Sequence, residues 1–294
     1  MKKLIYTFVA ALALVACTPD NGVSNKVRIS VSFEEEQQNT KGQQRISAED
    51  KLIKGKRVID VNWEKGDVLY FQKEGEAVDT DNPFQIVSGV GTKHAFFENE
   101  EFIDFQSTFT LYYHGFGNPL DEKKPTHPDF AQPLVPSIDQ TCTITASGTE
   151  INNDYLIYKA TNCKVGEGIK LEPQFAILGV QLFGTYTSFD EYVTIGVGDE
   201  FNPEGKAYQC NPSASIDLTK NPIYYIVLPL DYPINKKKIR LANQRGHHTS
   251  YDELSLELVT LDPTKAQIIG IDVTNYNNQS DDNAKYTIAK HNYN

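Results

Sequence analysis

The chain is 294 residues long with a formal charge of −11 at neutral pH, and it holds 16 Tyr and 15 Phe against one Met and one Trp. That length buries a substantial core, as one large domain or two ordinary ones. The acidic balance excludes nucleic acid as a partner, because phosphate binding needs a basic surface.

Met1-Lys2-Lys3 is a positive start, followed by an apolar run of thirteen residues, 4–16, too short to span a bilayer. The run ends Leu14-Val15-Ala16-Cys17, small residues before a cysteine. This resembles the lipobox of bacterial lipoproteins. The resemblance implies that residues 1–16 are a signal peptide, that Cys17 receives diacylglycerol, and that the new amine is then acylated. Three acyl chains hold firmly, since each buried methylene contributes about 0.8 kcal/mol. Thr18 follows the cysteine, where Asp would imply retention at the inner membrane, so the outer membrane is favoured. A plain secretory leader with an incidental cysteine is the other reading. Without Lys2 and Lys3 the balance is 26 basic against 39 acidic residues, a net −13. Residues 17–25 are polar, with Pro19 and Gly22, and read as a flexible tether.

Residues 26–35 alternate, with Val27, Ile29, Val31 and Phe33 on one face and Arg28, Ser30, Ser32 and Glu34 on the other. This predicts a first strand. Residues 36–51 (EQQNTKGQQRISAEDK) read as an exposed loop, which makes Arg45 a natural protease target. Residues 58–72 (VIDVNWEKGDVLYFQ) read as a β-hairpin, with Glu64-Lys65-Gly66-Asp67 as its turn. Gly66 takes positive φ without steric cost, and the Asp67 carboxylate bonds nearby backbone N–H groups. Trp63 at the strand end is expected to cap a sandwich core while its indole N–H finds a partner.

Trp63-Glu64-x-Gly66-Asp67 before an apolar strand, downstream of a lipoprotein cysteine, resembles the fimbrillin (Mfa-like) family of Gram-negative surface pili. In pilus-forming fimbrillins an arginine-specific protease releases an early strand, and the groove left behind accepts a strand from the next subunit. By that resemblance, cleavage falls between Arg45 and Ile46. The plainer reading of Arg45 is a solvated side chain in a loop.

Downstream, a loop over 73–83 precedes strands at 84–87, 94–97 and 109–113. Residues 118–140 contain Pro119, Pro125, Pro128, Pro133 and Pro136 and form the best candidate for an exposed recognition loop, or else a variable connection. Residues 137–153 are Thr/Ser-rich with strand character, and 155–161 match the family segment that closes the first domain. Residues 169–184 (IKLEPQFAILGVQLFG) predict a buried strand, with a short buried helix as the alternative. Strands follow at 192–197, 223–230, 238–243, 254–259 and 266–273, a spacing that suggests a sandwich. Residues 284–294 alternate weakly, as a last internal strand or one offered to a neighbour.

No chemical motif emerges. Adjacent His247 and His248 point to opposite faces if they lie on a strand, and no tetrahedral ligand set accompanies them. Asp60, Asp67 and Asp79 have no spacing that marks a carboxylate pair. Beyond Cys17, the odd set Cys142, Cys163 and Cys210 allows at most one internal disulfide, and mostly unpaired, packed thiols are expected. The expectation is therefore an all-β protein of two tandem antiparallel β-sandwich domains, transthyretin-like by resemblance. Its parts are a signal peptide (1–16), a tether (17–25), an N-terminal domain (26–164) and a C-terminal domain (165–294). No catalytic residue, metal or cofactor is assigned. By resemblance it serves a pilus, with other pilus subunits and the outer membrane as partners. The alternative is a stand-alone surface lipoprotein that binds a glycan or host protein through its loops.

Overall fold

The computed structural model describes residues 26–33, 47–53, 56–100, 107–115, 130, 136, 139–145, 148–151, 155–183, 193–198, 208–212, 220–234, 237–243 and 261–272. Among these residues there is no α-helix. In chain order the strands are β1 (Val27–Ser32), β2 (Ser47–Ile53), β3 (Lys56–Asn62), β4 (Val68–Lys73), β5 (Val78–Ser88), β6 (His94–Asn99) and β7 (Phe109–His114). Then come β8 (Asp139–Cys142), β9 (Ile144–Thr145), β10 (Gly148–Thr149), β11 (Ile157–Cys163), β12 (Gly168–Lys170), β13 (Glu172–Pro173) and β14 (Phe175–Phe183). The last are β15 (Val193–Gly198), β16 (Tyr208–Pro212), β17 (Ile223–Pro229), β18 (Lys238–Asn243) and β19 (Gln267–Asp272).

An eight-stranded sheet runs β12-β1-β6-β5-β4-β7-β11-β13, a five-stranded sheet β19-β14-β17-β10-β9, and a four-stranded sheet β18-β15-β16-β8; β2 and β3 form a separate ribbon. The expected all-β sandwich architecture is the one found. Most pairings are antiparallel, but β1–β12, β10–β17, β14–β19 and β8–β16 are parallel. Parallel neighbours need long crossover connections, so they join segments remote in sequence. The sheets interleave along the chain: β12 and β13 pair within the first sheet, whereas β8, β9 and β10 reach forward into the other two.

Residues 175–183 form one continuous strand, which rules out the short helix. The strand is apolar but for Gln181 because both faces are largely buried. Phe175 and Ile177 enter a first core with Ile29, Val31, Trp63 and Leu111. Leu178, Val180 and Leu182 point the other way, into a second core with Ile195, Tyr224, Ile226 and Ile239. Val227 on β17 likewise belongs to the first core, and its neighbours Ile226 and Leu228 to the second. The five-stranded sheet is therefore a shared wall between two cores.

Three expectations about local structure need correction. Residues 58–72 are not a hairpin: β3 pairs with β2, whereas β4 pairs with β5 and β7. The turn chemistry is as expected, with Gly66 at φ 93° and the Glu64 N–H donating to Asp67 Oδ2 at 2.7 Å. It makes a corner between ribbon and sheet, because the Trp63 backbone bonds instead to the β5–β6 turn, at the Thr92 carbonyl (2.8 Å) and the Gly91 N–H (2.6 Å). The polar stretch 47–51 is not a loop but part of β2, satisfied by seven register pairs with β3. The loop read over 73–83 is also too long, since β5 begins at Val78; the Asp79 carboxylate accepts the Asp81 and Asn82 N–H groups, both at 3.0 Å.

The cysteines also differ from expectation. Cys142 and Cys210 form a buried disulfide between β8 and β16, and among the described residues Cys163 is a free, buried thiol. Sequence limits the three cysteines to one bridge but carries no information on which pair meets.

Candidate functional site

The element that bears on the predicted function is β1. Its alternation places Ile29, Val31 and Phe33 in the first core, each 4 % exposed or less. Its backbone lies antiparallel to β6 over six register pairs, from Val27 opposite Asn99 to Ser32 opposite His94. On the other side, among the described residues, only the three-residue β12 lies beyond it, in parallel. The Phe33 N–H donates to the Lys93 carbonyl at 3.1 Å, and the Leu171 N–H donates to the Ser32 carbonyl at 2.9 Å. β1 is thus the second strand from a sheet edge, inserted by backbone pairing on both sides and by three side chains below. Burying those three side chains contributes roughly 5–9 kcal/mol, at about 1.5–3 kcal/mol each.

The outer face of β1 adds little. Lys26 reaches Glu100 at 3.2 Å and Arg28 reaches Glu98 at 3.4 Å, with both cations half exposed. Such pairs contribute about 0–1 kcal/mol. Arg28 also lies over the Phe96 ring, 5.2 Å from its centroid, and Ser30 Oγ shares a hydrogen bond of 2.6 Å with His94 Nε2. The strand is held from below and along its edges, not by its charges.

Phe33 closes the inner face against Trp63. Their ring centroids lie 4.0 Å apart, and Tyr158 stands 4.8 Å from Phe33 on another side. Trp63 is fully buried, with Phe97 and Tyr113 edge-on at 4.8 and 5.7 Å. It therefore sits at the centre of the first core and does not cap it. The expected partner for its indole is missing too: among the described residues Nε1 has no acceptor, because aromatic rings enclose it. Below the ring, the Tyr113 hydroxyl donates to Asp67 Oδ1 at 3.3 Å. Burial, and then the nearby Asp67 carboxylate, hold the Tyr113 hydroxyl well above the ordinary tyrosine range. The Trp-Glu-x-Gly-Asp stretch thus builds the floor on which the end of β1 rests. Alternation marks Phe33 as inward-facing; nothing in the sequence marks Trp63, Tyr113 and Tyr158 as its neighbours.

Cys17, Arg45 and Ile46 lie outside the described residues, as do His247, His248 and residues 254–259 and 284–294. Arg45 and Ile46 fall between Phe33, where the description of β1 ends, and Ser47, where β2 begins. Most of the Pro-rich stretch 118–140 lies outside the described residues as well; those described are Phe130, Pro136, Asp139 and Gln140. Phe130 is half buried, 5.1 Å from the Tyr70 ring and 5.6 Å from the Tyr112 ring, Pro136 is buried, and Asp139 begins β8.

No family model and no curated protein matches the sequence. Solved structures with a related chain course include a candidate cell adhesion protein from Bacteroides ovatus ATCC 8483, at 11 % identity and a TM-score of 0.41, covering 89 % of this chain and 95 % of that one. Another is a candidate cell adhesion protein from Bacteroides fragilis NCTC 9343, at 10 % identity and a TM-score of 0.39, covering 90 % and 97 %. A third is the fimbrial anchor protein Mfa2 from Porphyromonas gingivalis, at 9 % identity and a TM-score of 0.35, covering 89 % and 94 %. At these scores the likenesses assign no function to this chain.

Proposed function

We propose that this chain is a structural or adhesive component of a cell-surface pilus, exported as a lipoprotein and held at the outer membrane through Cys17 until cleavage after Arg45 releases it for assembly. It works without catalysis, by strand addition to other pilus subunits. The observation that carries this reading is the setting of β1: a strand near the N-terminus, one short strand from a sheet edge, with alternate side chains in the core and surface ion pairs of little weight. A strand held so can be withdrawn as a unit. It would leave a row of backbone donors and acceptors on β6, above pockets for alternate apolar side chains, which is what a strand from a neighbour recognises. Cleavage after Arg45, on the segment that follows, would cut β1 from the rest of the chain. The lipobox and the Trp63-to-Asp67 resemblance support the same reading. The chain then divides into a leader (1–16), a tether (17–25) and two units meeting near residue 165, with β8, β9 and β10 pairing in the sheets of the second core and β12 and β13 staying with the first.

The test is digestion of the purified chain with an arginine-specific protease. The expected result is a new N-terminus at Ile46, loss of β1, and ladders of strand-linked oligomers on mild electrophoresis. Retention of β1 and a monomer after complete digestion at Arg45 would remove the strand-exchange reading and leave a stand-alone surface protein.

A further inference from the structure

Three short strands near the middle of the chain, β8, β9 and β10, bond to both sheets of the second core. β8 is the outer strand of the four-stranded sheet, parallel to β16, with Gln140 opposite Cys210 and Cys142 opposite Pro212. β10 lies along β17 in the five-stranded sheet, with Gly148 opposite Ile223. Gly148 has φ 137°, and a Cβ there would run into the Ile223 backbone, so the approach requires glycine. Beyond that single main-chain pair, side chains take over. The buried Gln140 carboxamide acts as a strand backbone would: Oε1 accepts the Val227 N–H at 2.9 Å, and Nε2 donates to the Val227 carbonyl at 2.6 Å. Thr149 Oγ1 accepts the Tyr225 N–H at 3.0 Å. The edge of β17 away from β14 is therefore filled by side chains of the same molecule. The Cys142–Cys210 disulfide, closing a separation of 68 residues, ties the segment to β16 beside them.

We propose that β8, β9 and β10 form a redox-locked clasp, which closes one edge of each sheet around the second core and seats fully against β17 only once Cys142 and Cys210 are joined. β8 is backbone-paired to β16 over four register pairs, but toward β17 the segment has one main-chain pair and side-chain bonds, which give little cooperativity, so on that side the disulfide holds it in place. The joining step is thiol–disulfide exchange with an oxidoreductase that carries a reactive disulfide. One cysteine thiolate attacks that disulfide, the second displaces the mixed bond, and the two electrons and two protons leave on the oxidoreductase as a dithiol. Such oxidants act outside the reducing cytoplasm, so the place of this step rests on the proposed export of the chain. An unfilled β17 edge would be a second template for strand addition. In a protein that assembles by adding strands, the clasp keeps that edge shut and leaves the β1 position as the one on offer.

Hydrogen exchange on the purified full chain, oxidised and after reduction, tests the clasp independently of export. Reduction should speed exchange about tenfold or more in 139–149 and 223–229, while 27–32 and 94–99 stay within about twofold. Equal protection in both redox states overturns the proposal, and so does a uniform loss across all four segments, which would mark the bond as a global staple. A Gln140→Leu variant with the disulfide intact should speed exchange of the Val227 amide by a similar factor; an unchanged rate there also overturns it. Thiol counting on the chain taken from cells separates this from the export reading. Cys142 and Cys210 found as free thiols there, with the clasp still opening on reduction in vitro, would contradict export and leave the clasp standing.

Discussion

Phe33→Ala should detach β1 without unfolding the rest of the chain. The ring is 4 % exposed and packs at 4.0 Å on Trp63 and 4.8 Å on Tyr158. Truncating a buried phenylalanine costs about 3–5 kcal/mol, through lost transfer energy and the cavity left behind. The cavity cannot collapse easily here, because Trp63 and Tyr158 are themselves fixed by Phe97, Tyr113 and Phe175. A cost near 4 kcal/mol corresponds to roughly a thousandfold rise in the open population, at about 1.4 kcal/mol per decade. If β1 is a separable strand, that rise is local. Exchange in 27–32 and 94–99 should quicken by about that factor, while 193–198 and 223–229 change by less than about threefold. The control is Arg28→Ala, which removes an exposed ion pair and a ring contact and should cost about 1 kcal/mol or less. Uniform loss of protection in both cores would refute the reasoning, since β1 would then be bound into one cooperative unit. A cost below about 1 kcal/mol would refute it from the other side, by showing that the pocket does not grip the strand.

Trp63→Phe should stay within about 1.5 kcal/mol of the parent in urea unfolding, because it removes an unpartnered indole donor along with some volume, whereas Trp63→Ala should cost about 3–5 kcal/mol. Stability should fall as pH rises above about 10, the unfolded tyrosine value. Burial holds Tyr113 well above that value and pushes Tyr70 up to about 12, so the unfolded chain gives up protons in this range while the folded chain keeps them. Tyr113→Phe should flatten that alkaline slope in denaturant titrations at stepped pH. Gly148→Ala should cost about 1–3 kcal/mol from backbone strain alone, and more from its contact with Ile223, seen as a lower urea midpoint.

Elements with a dense local pattern were the legible ones. β14 and β17 announce themselves through runs of apolar or β-branched residues, and β1 through clean alternation. β2 (SAEDKLI) carries no such pattern in its sequence, and it is defined by backbone pairing with β3 over seven register pairs. Pairing between remote segments was illegible for the same reason. Alternation says that Ser30 faces outward, but not that its neighbour across the sheet is Gly168. Nor does a glutamine in a Pro-rich stretch reveal that it will complete the edge of β17, 87 residues away. Of the site itself, the inward face of β1 was readable residue by residue. The sequence places Trp63 at a strand end beside a turn and predicts a cap; its enclosure by Phe33, Phe97 and Tyr113 depends on three separate strands or strand ends meeting, which no local pattern shows.

The most direct test of the central claim is the intact mass and N-terminus of the mature protein taken from cells. The account predicts assembled material that begins at Ile46 and carries no lipid, with β1 gone and its place filled by a strand from another subunit. Assembled material that keeps an acylated Cys17 and every residue through Arg45 would contradict it, because β1 would then be a permanent part of the sheet.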